Sequence, residues 1–330
     1  MALSPLIFGC SGPLLTRYEA KFFSKRQPFG FILFARNLES PSQIKALCQN
    51  LRTSVGWNAP IFIDQEGGRV ARLGSPHWFE FQAALIDAHH PRSERLFWLR
   101  GRLIAHNLIS TGVDVNCAPL GDLAREITHP ALKSRCYGET VAQVVMNAKA
   151  MHQGLRSGGV SGVIKHLPGH GLAQMDSHVE LPTIKNDIKF LYQNDFSTFR
   201  DLNFIEMAMT AHLVYSEIDP TAPATQSKIM IDIVRKNIGF DNLLLSDDIS
   251  MDALSGSVAD RAIRALAAGC DIVLHCNGRL SEMTLLADAC SILSPASAVR
   301  VDRAINQRPY PISVDIAGLK AEFDSIINKL

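Results

Sequence analysis

The sequence predicts an α/β fold, a single (β/α)8 barrel spanning residues 1–330 with a final helix packed against it. Three observations carry that prediction. Short apolar runs of strand length alternate with longer segments of helical periodicity, the pattern of βα units on a parallel sheet. The runs number eight, the count that closes such a sheet into a barrel. Titratable residues stand at the ends of most of these runs, where this fold gathers its functional groups.

In chain order the predicted strands cover 6–8, 30–35, 60–63, 113–118, 162–164, 206–210, 242–245 and 271–274. Between them, 42–55, 141–155 and 258–268 carry apolar residues three and four apart, as amphipathic helices do. The interval 67–112 contains Trp78, Phe79, Phe81, His89 and His90 and reads as an extra loop beside a long helix. The tail beyond residue 309 ends in an amphipathic segment, 317–330. No Pro-, Gly- or Ser-rich linker and no charge block divides the chain, so one domain is expected. A doubly wound open sheet is the rival. It normally carries a Gly-rich phosphate turn after the first strand, and Gly9-Cys10-Ser11-Gly12 matches that only vaguely.

The polar residues favour the barrel and an enzyme. Arg36 follows the second run, Asp64 the third, Lys165 and His166 the fifth, and His212 the sixth. Asp247 and Asp248 follow the seventh, and His275 and Asn277 the eighth. A scaffold more often places Gly, Ser or Asn at such positions.

Composition narrows the partners. A formal charge of +1 and the lack of any basic run give no attraction for nucleic acid or an anionic membrane surface. No stretch approaches the roughly 20 apolar residues needed to span a bilayer. The N-terminus lacks the basic start and apolar core of a secretory signal. Seven scattered cysteines, an odd count without a CxxC pair, suggest reduced thiols and a cytoplasmic protein.

The densest chemistry lies in 164–178, IKHLPGHGLAQMDSH. Lys165 and His166 close a strand, Pro168-Gly169-His170-Gly171 ends regular structure, and a loop leads to Asp176-Ser177-His178. A histidine that titrates near neutrality can give and take protons, and a carboxylate beside it can fix its tautomer. A solvated His178 next to an Asx-turn at Asp176 is the simpler alternative. A buried Lys165 needs a partner, either a carboxylate or a sugar hydroxyl. His170, between two glycines, is expected to shape the loop, and His212 is as much a core histidine as a site residue.

Asp247 and Asp248 should point in different directions, because side chains alternate along a strand. A carboxylate at the barrel mouth can attack an anomeric carbon to form a covalent glycosyl-enzyme. Ser246-Asp247-Asp248 is equally good helix-capping composition. In 64–72, Asp64 can accept from vicinal hydroxyls while Gly67-Gly68 turns the backbone away and Arg72 returns as a brace. A salt bridge from Asp64 or Glu66 to Arg69 or Arg72 would be compatible with that role.

Together, ILFARN (32–37), IDQEGGRVARL (63–73), VDVNCAPL (113–120), IKHLPGHG with DSH (164–178), MTAHLVY (209–215), LLSDDISM (244–251) and AGCDIVLHCN (268–277) resemble glycoside hydrolase family 3. The resemblance is to its bacterial β-N-acetylhexosaminidases of the peptidoglycan-recycling type. It implies a cofactor-free, metal-free monomeric barrel acting on a carbohydrate substrate. Terminal N-acetylglucosamine would be removed from GlcNAc-anhydroMurNAc-peptides with retention of configuration. It further implies Asp247 as nucleophile, His178 as general acid/base with Asp176 as its partner, and Asp64, Arg72, Arg135, Lys165 and His166 as sugar-binding residues.

Two segments depart from the family pattern. Its Arg-Ser-Phe-Gly is Arg135-Cys136-Tyr137-Gly138 here, after an unusual 128–133, and its Pro-Val-Leu-Asp is Pro119-Leu120-Gly121-Asp122. Three other functions share parts of the pattern. A phosphorylase would use the same site with phosphate as acceptor. A metal-dependent barrel hydrolase would need ligands from His166, His170, Asp176, His178 and His212, but no His-x-His stands on an early strand. A non-catalytic sugar-binding barrel would not need Asp247, Asp176 and His178 together.

Overall fold

The computed structural model of the protein describes residues 3–175, 180–290 and 292–328. Eight barrel strands, numbered β1–β8, are Ser4–Gly9, Pro28–Leu33, Ile61–Ile63, Val115–Asn116, Ser161–Leu167, Met207–Thr210, Leu243–Asp248 and Ile272–His275. Each pairs in parallel with its neighbours in sequence, and β8 closes the ring on β1. All eight predicted runs therefore become barrel strands, with shifted ends. The fifth and seventh runs extend further than their apolar residues suggest, so Lys165, His166, Asp247 and Asp248 lie within β5 and β7.

Alternation along the strands sorts side chains into two layers. Ile7, Ile32, Phe62, Val115, Val163, Met207, Met209, Leu243, Leu245, Ile272 and Leu274 pack together inside the barrel. Leu6, Phe8, Phe31, Leu33, Ile61, Ile63, Ile164 and Leu244 pack outward against the helices. That is the period-2 pattern of a sheet buried on both faces.

The helices start and stop where local chemistry dictates. In Pro41–Val55, the Ser40 side chain accepts from the Gln43 N–H, Pro41 occupies the first turn, and Gly56 ends the helix at φ 75°. Its buried residues, Ile44, Leu47, Cys48, Leu51 and Val55, fall three and four apart. Val258–Ala268 opens on a capping box between Ser257 and Asp260. The predicted extra loop is the irregular chain before Ala84–Ala88, followed by the long helix Ser93–Thr111. The last helix, Ile316–Ile327, packs on that long helix. Phe323 meets Phe81 edge-on at 5.4 Å, and Glu322 binds both the Nε and Nη2 of Arg95 at 2.9 and 2.7 Å.

All seven cysteines are buried free thiols. Burial pushes Cys10, Cys48 and Cys270 up to about 12, as expected of small core residues rather than reactive ones. Among the described residues, no helix is long and apolar enough to cross a membrane.

Candidate active site

A cavity of about 450 Å³ opens at the C-terminal ends of the strands. Met209, Leu274 and Cys276, the top of the packed barrel interior, line it from below. Asp64, Arg72, Arg135, Lys165, His166 and Asp247 all line the same cavity, alongside Phe34, Arg69, His129, His170, Asp248 and Met251. The structure thus brings together six of the eight residues singled out for the site. Asp176 and His178 lie outside the described residues.

Strand periodicity explains how the carboxylates and the lysine reach the mouth. Asp64 stands two residues beyond Phe62, Lys165 two beyond Val163, and Asp247 two beyond Leu245, each continuing an inward-facing row. His166 breaks the alternation. The Lys165–His166 peptide is cis, the pairing of β5 with β6 slips between Lys165 and Leu167, and both side chains line the cavity.

Five charged groups form one network on the cavity wall. Lys165 Nζ sits 2.8 Å from Asp64 Oδ1 and 2.8 Å from Glu66 Oε1. Arg135 holds Glu66 in a two-point contact, Nε to Oε2 at 2.9 Å and Nη2 to Oε1 at 2.8 Å. Arg72 Nη2 reaches Asp64 Oδ2 at 3.4 Å. Three cations thus face two carboxylates. Burial alone would raise the carboxyl of Asp64, but Lys165 and Arg72 outweigh it and hold the group below its usual range. Glu66 is likewise pulled down, by Arg135 and Lys165 against its burial. Lys165 is buried, which would favour its neutral form, but Asp64 and Glu66 hold it charged with a raised pKa. The partner that a buried lysine requires is therefore this carboxylate pair.

The loop that returns Arg72 is built on Gln65. Its Oε1 accepts from the N–H groups of Arg72 and Leu73 at 2.7 and 2.9 Å, and its Nε2 donates to Leu73 O at 2.8 Å. Of the salt bridges expected here, Asp64–Arg72 forms. Arg69 instead donates to the carbonyl of Ala131 at 2.7 Å.

Asp247 and Asp248 both line the cavity, because the register of β7 against β8 shifts between Leu245 and Asp248, but their carboxylates take different partners. Asp248 accepts from Ser250 N–H and Oγ at 3.0 and 2.7 Å and from Cys276 N–H at 3.2 Å, tying the turn after β7 to the end of β8. Neither caps a helix: Asp248 closes the turn after β7, and the next helix is capped by Ser257. The Asp247 backbone N–H donates to Thr210 Oγ1 at 3.3 Å, and its side chain faces the cavity.

Several strand-end residues do other work. His212 is fully buried, with Nδ1 2.8 Å from Thr225 Oγ1 and Nε2 3.0 Å from the Asp248 carbonyl. Both ring nitrogens are committed, and burial lowers its pKa, so it is a satisfied core histidine and no metal ligand. His275 is buried against Phe8 and bonds Glu282 at 3.0 Å, and Asn277 bonds the same carboxylate at 2.6 Å. Arg36 donates to the carbonyls of Cys10 and Cys276, stitching the barrel rim.

Sequence reasoning missed three contributors. Glu66 entered only as a possible salt-bridge partner, although it stands two residues from Asp64 and fastens two of the cations. Asp122 entered only as the end of a departing motif. It is fully buried, 2.7 Å from His166 Nδ1, and accepts the His170 N–H at 2.7 Å. His170, expected to shape its loop and offered as a ligand only under the metal-dependent alternative, lines the cavity, and burial, with His166 nearby, lowers its pKa to about 4.

The model of the glycosyl hydrolase family 3 N-terminal domain matches residues 15–307. The chain belongs to glycosyl hydrolase family 3, and it is a glycoside hydrolase. Curated relatives include a beta-hexosaminidase of Methylobacillus flagellatus, 33% identical across 92% of this chain and 89% of its own length. Another, of Alkalilimnicola ehrlichii, is 36% identical across 84% of this chain and 82% of its own. Among solved structures, NagZ from Neisseria gonorrhoeae in complex with N-trifluoroacetyl-D-glucosamine superposes with a TM-score of 0.86 at 28% identity. That likeness covers 99% of this chain and 96% of the other.

Both departures from the family 3 pattern lie in the chain after β4, and the structure accommodates each. Tyr137 is buried against Phe97 at 4.4 Å, and Cys136 is buried beside it. A Cβ on Gly121 would sit 2.7 Å from the Phe199 ring, so the glycine makes room for that phenyl group.

Proposed function

We propose that this protein is a retaining exo-β-N-acetylglucosaminidase, with Asp247 as nucleophile and His178 as general acid/base oriented by Asp176. The observation that carries the reading is the placement of Asp247. It continues the inward row of β7 into the cavity that Asp64, Lys165, Arg72, Arg135 and His166 line. A cavity closed below by packed side chains suits the end of a sugar chain rather than its middle, which favours exo action. Asp64, held ionised by Lys165 and Arg72, is suited to accept from two neighbouring hydroxyls. Lys165, His166 and the guanidinium groups supply donors.

In the proposed cycle Asp247 attacks the anomeric carbon as the His178 imidazolium protonates the leaving oxygen. The neutral imidazole then deprotonates water, which attacks the same carbon and releases the carboxylate. The family's beta-hexosaminidases, and the likeness to a structure holding an N-acylated glucosamine, support N-acetylglucosamine as the terminal sugar. Fragments of peptidoglycan, GlcNAc-anhydroMurNAc-peptides, are the proposed substrate, handled by a monomer in the cytoplasm.

The test is a product assay with a β-linked N-acetylglucosaminide in phosphate and in phosphate-free buffer. Proton NMR should show the β-anomer of free N-acetylglucosamine appearing first in both. The α-anomer first would contradict retention. Sugar 1-phosphate in the phosphate arm would make the protein a phosphorylase.

A further inference from the structure

We propose that Asp122 is a positioning residue of the reaction, acting through His166 by fixing which ring nitrogen carries a proton. The inference deepens the function proposed above and rests on it for its kinetic arm alone.

Asp122 is fully buried and follows the Gly121 that accommodates Phe199. Its carboxylate is held by backbone donors. The His170 N–H donates to Oδ1 at 2.7 Å, and the His166 N–H lies 3.3 Å from each oxygen. Oδ2 then faces His166 Nδ1 at 2.7 Å. An ionised carboxylate has only lone pairs to offer, so a contact this short places a proton on Nδ1. His166 itself lines the cavity. A neutral ring protonated on Nδ1 keeps Nε2 as its acceptor. This is the arrangement by which a carboxylate sets tautomer and orientation for a histidine that does the contacting.

The frame holding the carboxylate is rigid. Tyr215 Oη donates to the Gly169 carbonyl, and Thr128 Oγ1 donates to the Gly171 carbonyl at 2.5 Å. Gly171 backs directly onto Leu123, the residue after Asp122, where a Cβ would fall 2.1 Å from the Leu123 carbonyl oxygen. The segments 121–124 and 166–171 are thus held against one another, which keeps the His166 and His170 N–H groups trained on the Asp122 carboxylate.

An amide in place of the carboxylate makes a sharp prediction. In Asp122→Asn, the His170 N–H still requires an acceptor, so the amide oxygen stays on that side. The NH2 group then faces His166 Nδ1, which must accept, and the proton moves to Nε2. The experiment is a long-range 15N–1H correlation spectrum of histidine-labelled full-length protein without substrate, with His166→Gln locating the His166 signals. The parent should show His166 protonated on Nδ1, and the variant should show the neutral ring protonated on Nε2 alone. An unprotonated Nδ1 in the parent overturns the proposal, whether or not the variant folds.

Kinetics provide the second arm. Asp122→Asn should lower kcat/KM on an N-acetylglucosaminide by about 10- to 100-fold, the range found when the carboxylate behind a metal-bound histidine is removed. The same substitution in a His166→Gln background should cost less than about threefold, because its target is gone. Equal losses in both backgrounds would mean that Asp122 serves the fold only. A parent inactive on every N-acetylglucosaminide would sink the substrate reading while leaving the tautomer result standing.

Discussion

Glu66 and Arg135 form a two-point ion pair on the cavity wall, Nε to Oε2 at 2.9 Å and Nη2 to Oε1 at 2.8 Å. Glu66 is almost wholly buried, so its work is to aim Arg135 and Lys165 rather than to touch a substrate. Removing one member of a buried pair leaves an uncompensated charge and typically costs about 3–5 kcal/mol. Glu66→Ala should destabilise by that order in denaturant unfolding and raise KM more than it lowers kcat. A loss below about 1 kcal/mol with KM unchanged would contradict this role.

The same network sets an acid limit on stability. Asp64 and Glu66 both have folded pKa values below their unfolded ones, about 3.9 and 4.3. Such groups stabilise the fold above the unfolded values, and the contribution is lost as pH falls through the lower folded ones. The pKa of Lys165 is raised, so its contribution is complete below about 10.4 and fades only at more alkaline pH. Unfolding free energy measured from pH 5 down to 2 should therefore fall less steeply in the double variant Asp64→Asn, Glu66→Gln than in the parent. Parallel slopes would remove the network from the acid response.

Gly121 tests how this chain accommodates its departure from the family motif. A Cβ there would lie 2.7–3.2 Å from three Phe199 ring atoms, and Phe199 is itself buried. Gly121→Ala should cost about 1–3 kcal/mol by overpacking. Adding Phe199→Leu should recover part of that loss, which thermal unfolding of the three variants would show. No recovery would mean that the strain arises elsewhere.

The barrel was legible because its strands are short apolar runs and its helices carry a clear 3.6-residue period. The ends of β5 and β7 were less so. Lys165, His166, Asp247 and Asp248 break the apolar pattern while the backbone continues as strand. Parity predicted that Asp247 and Asp248 would point apart, but the register shift at the end of β7 leaves both on the cavity wall, with Asp248 tied to Ser250 and Cys276. The polar residues at strand ends overstated the site. Arg36, His212, His275 and Asn277 are satisfied by carbonyls, Thr225 and Glu282, partners distant in sequence or indistinct in pattern. Glu66 and Asp122 were underread for the converse reason. Their importance lies in Arg135, Lys165 and His166, which only the closed barrel brings to them.

The central claim is that Asp247 becomes covalently attached to the sugar. Incubation with a slow 5-fluoro-N-acetylglucosaminyl fluoride, followed by proteolysis and tandem mass spectrometry, tests it directly. The account predicts one glycosyl adduct per chain, carried on Asp247 and absent from Asp247→Ala. A stoichiometric adduct on another residue, or turnover by Asp247→Ala at the parent rate, would contradict it.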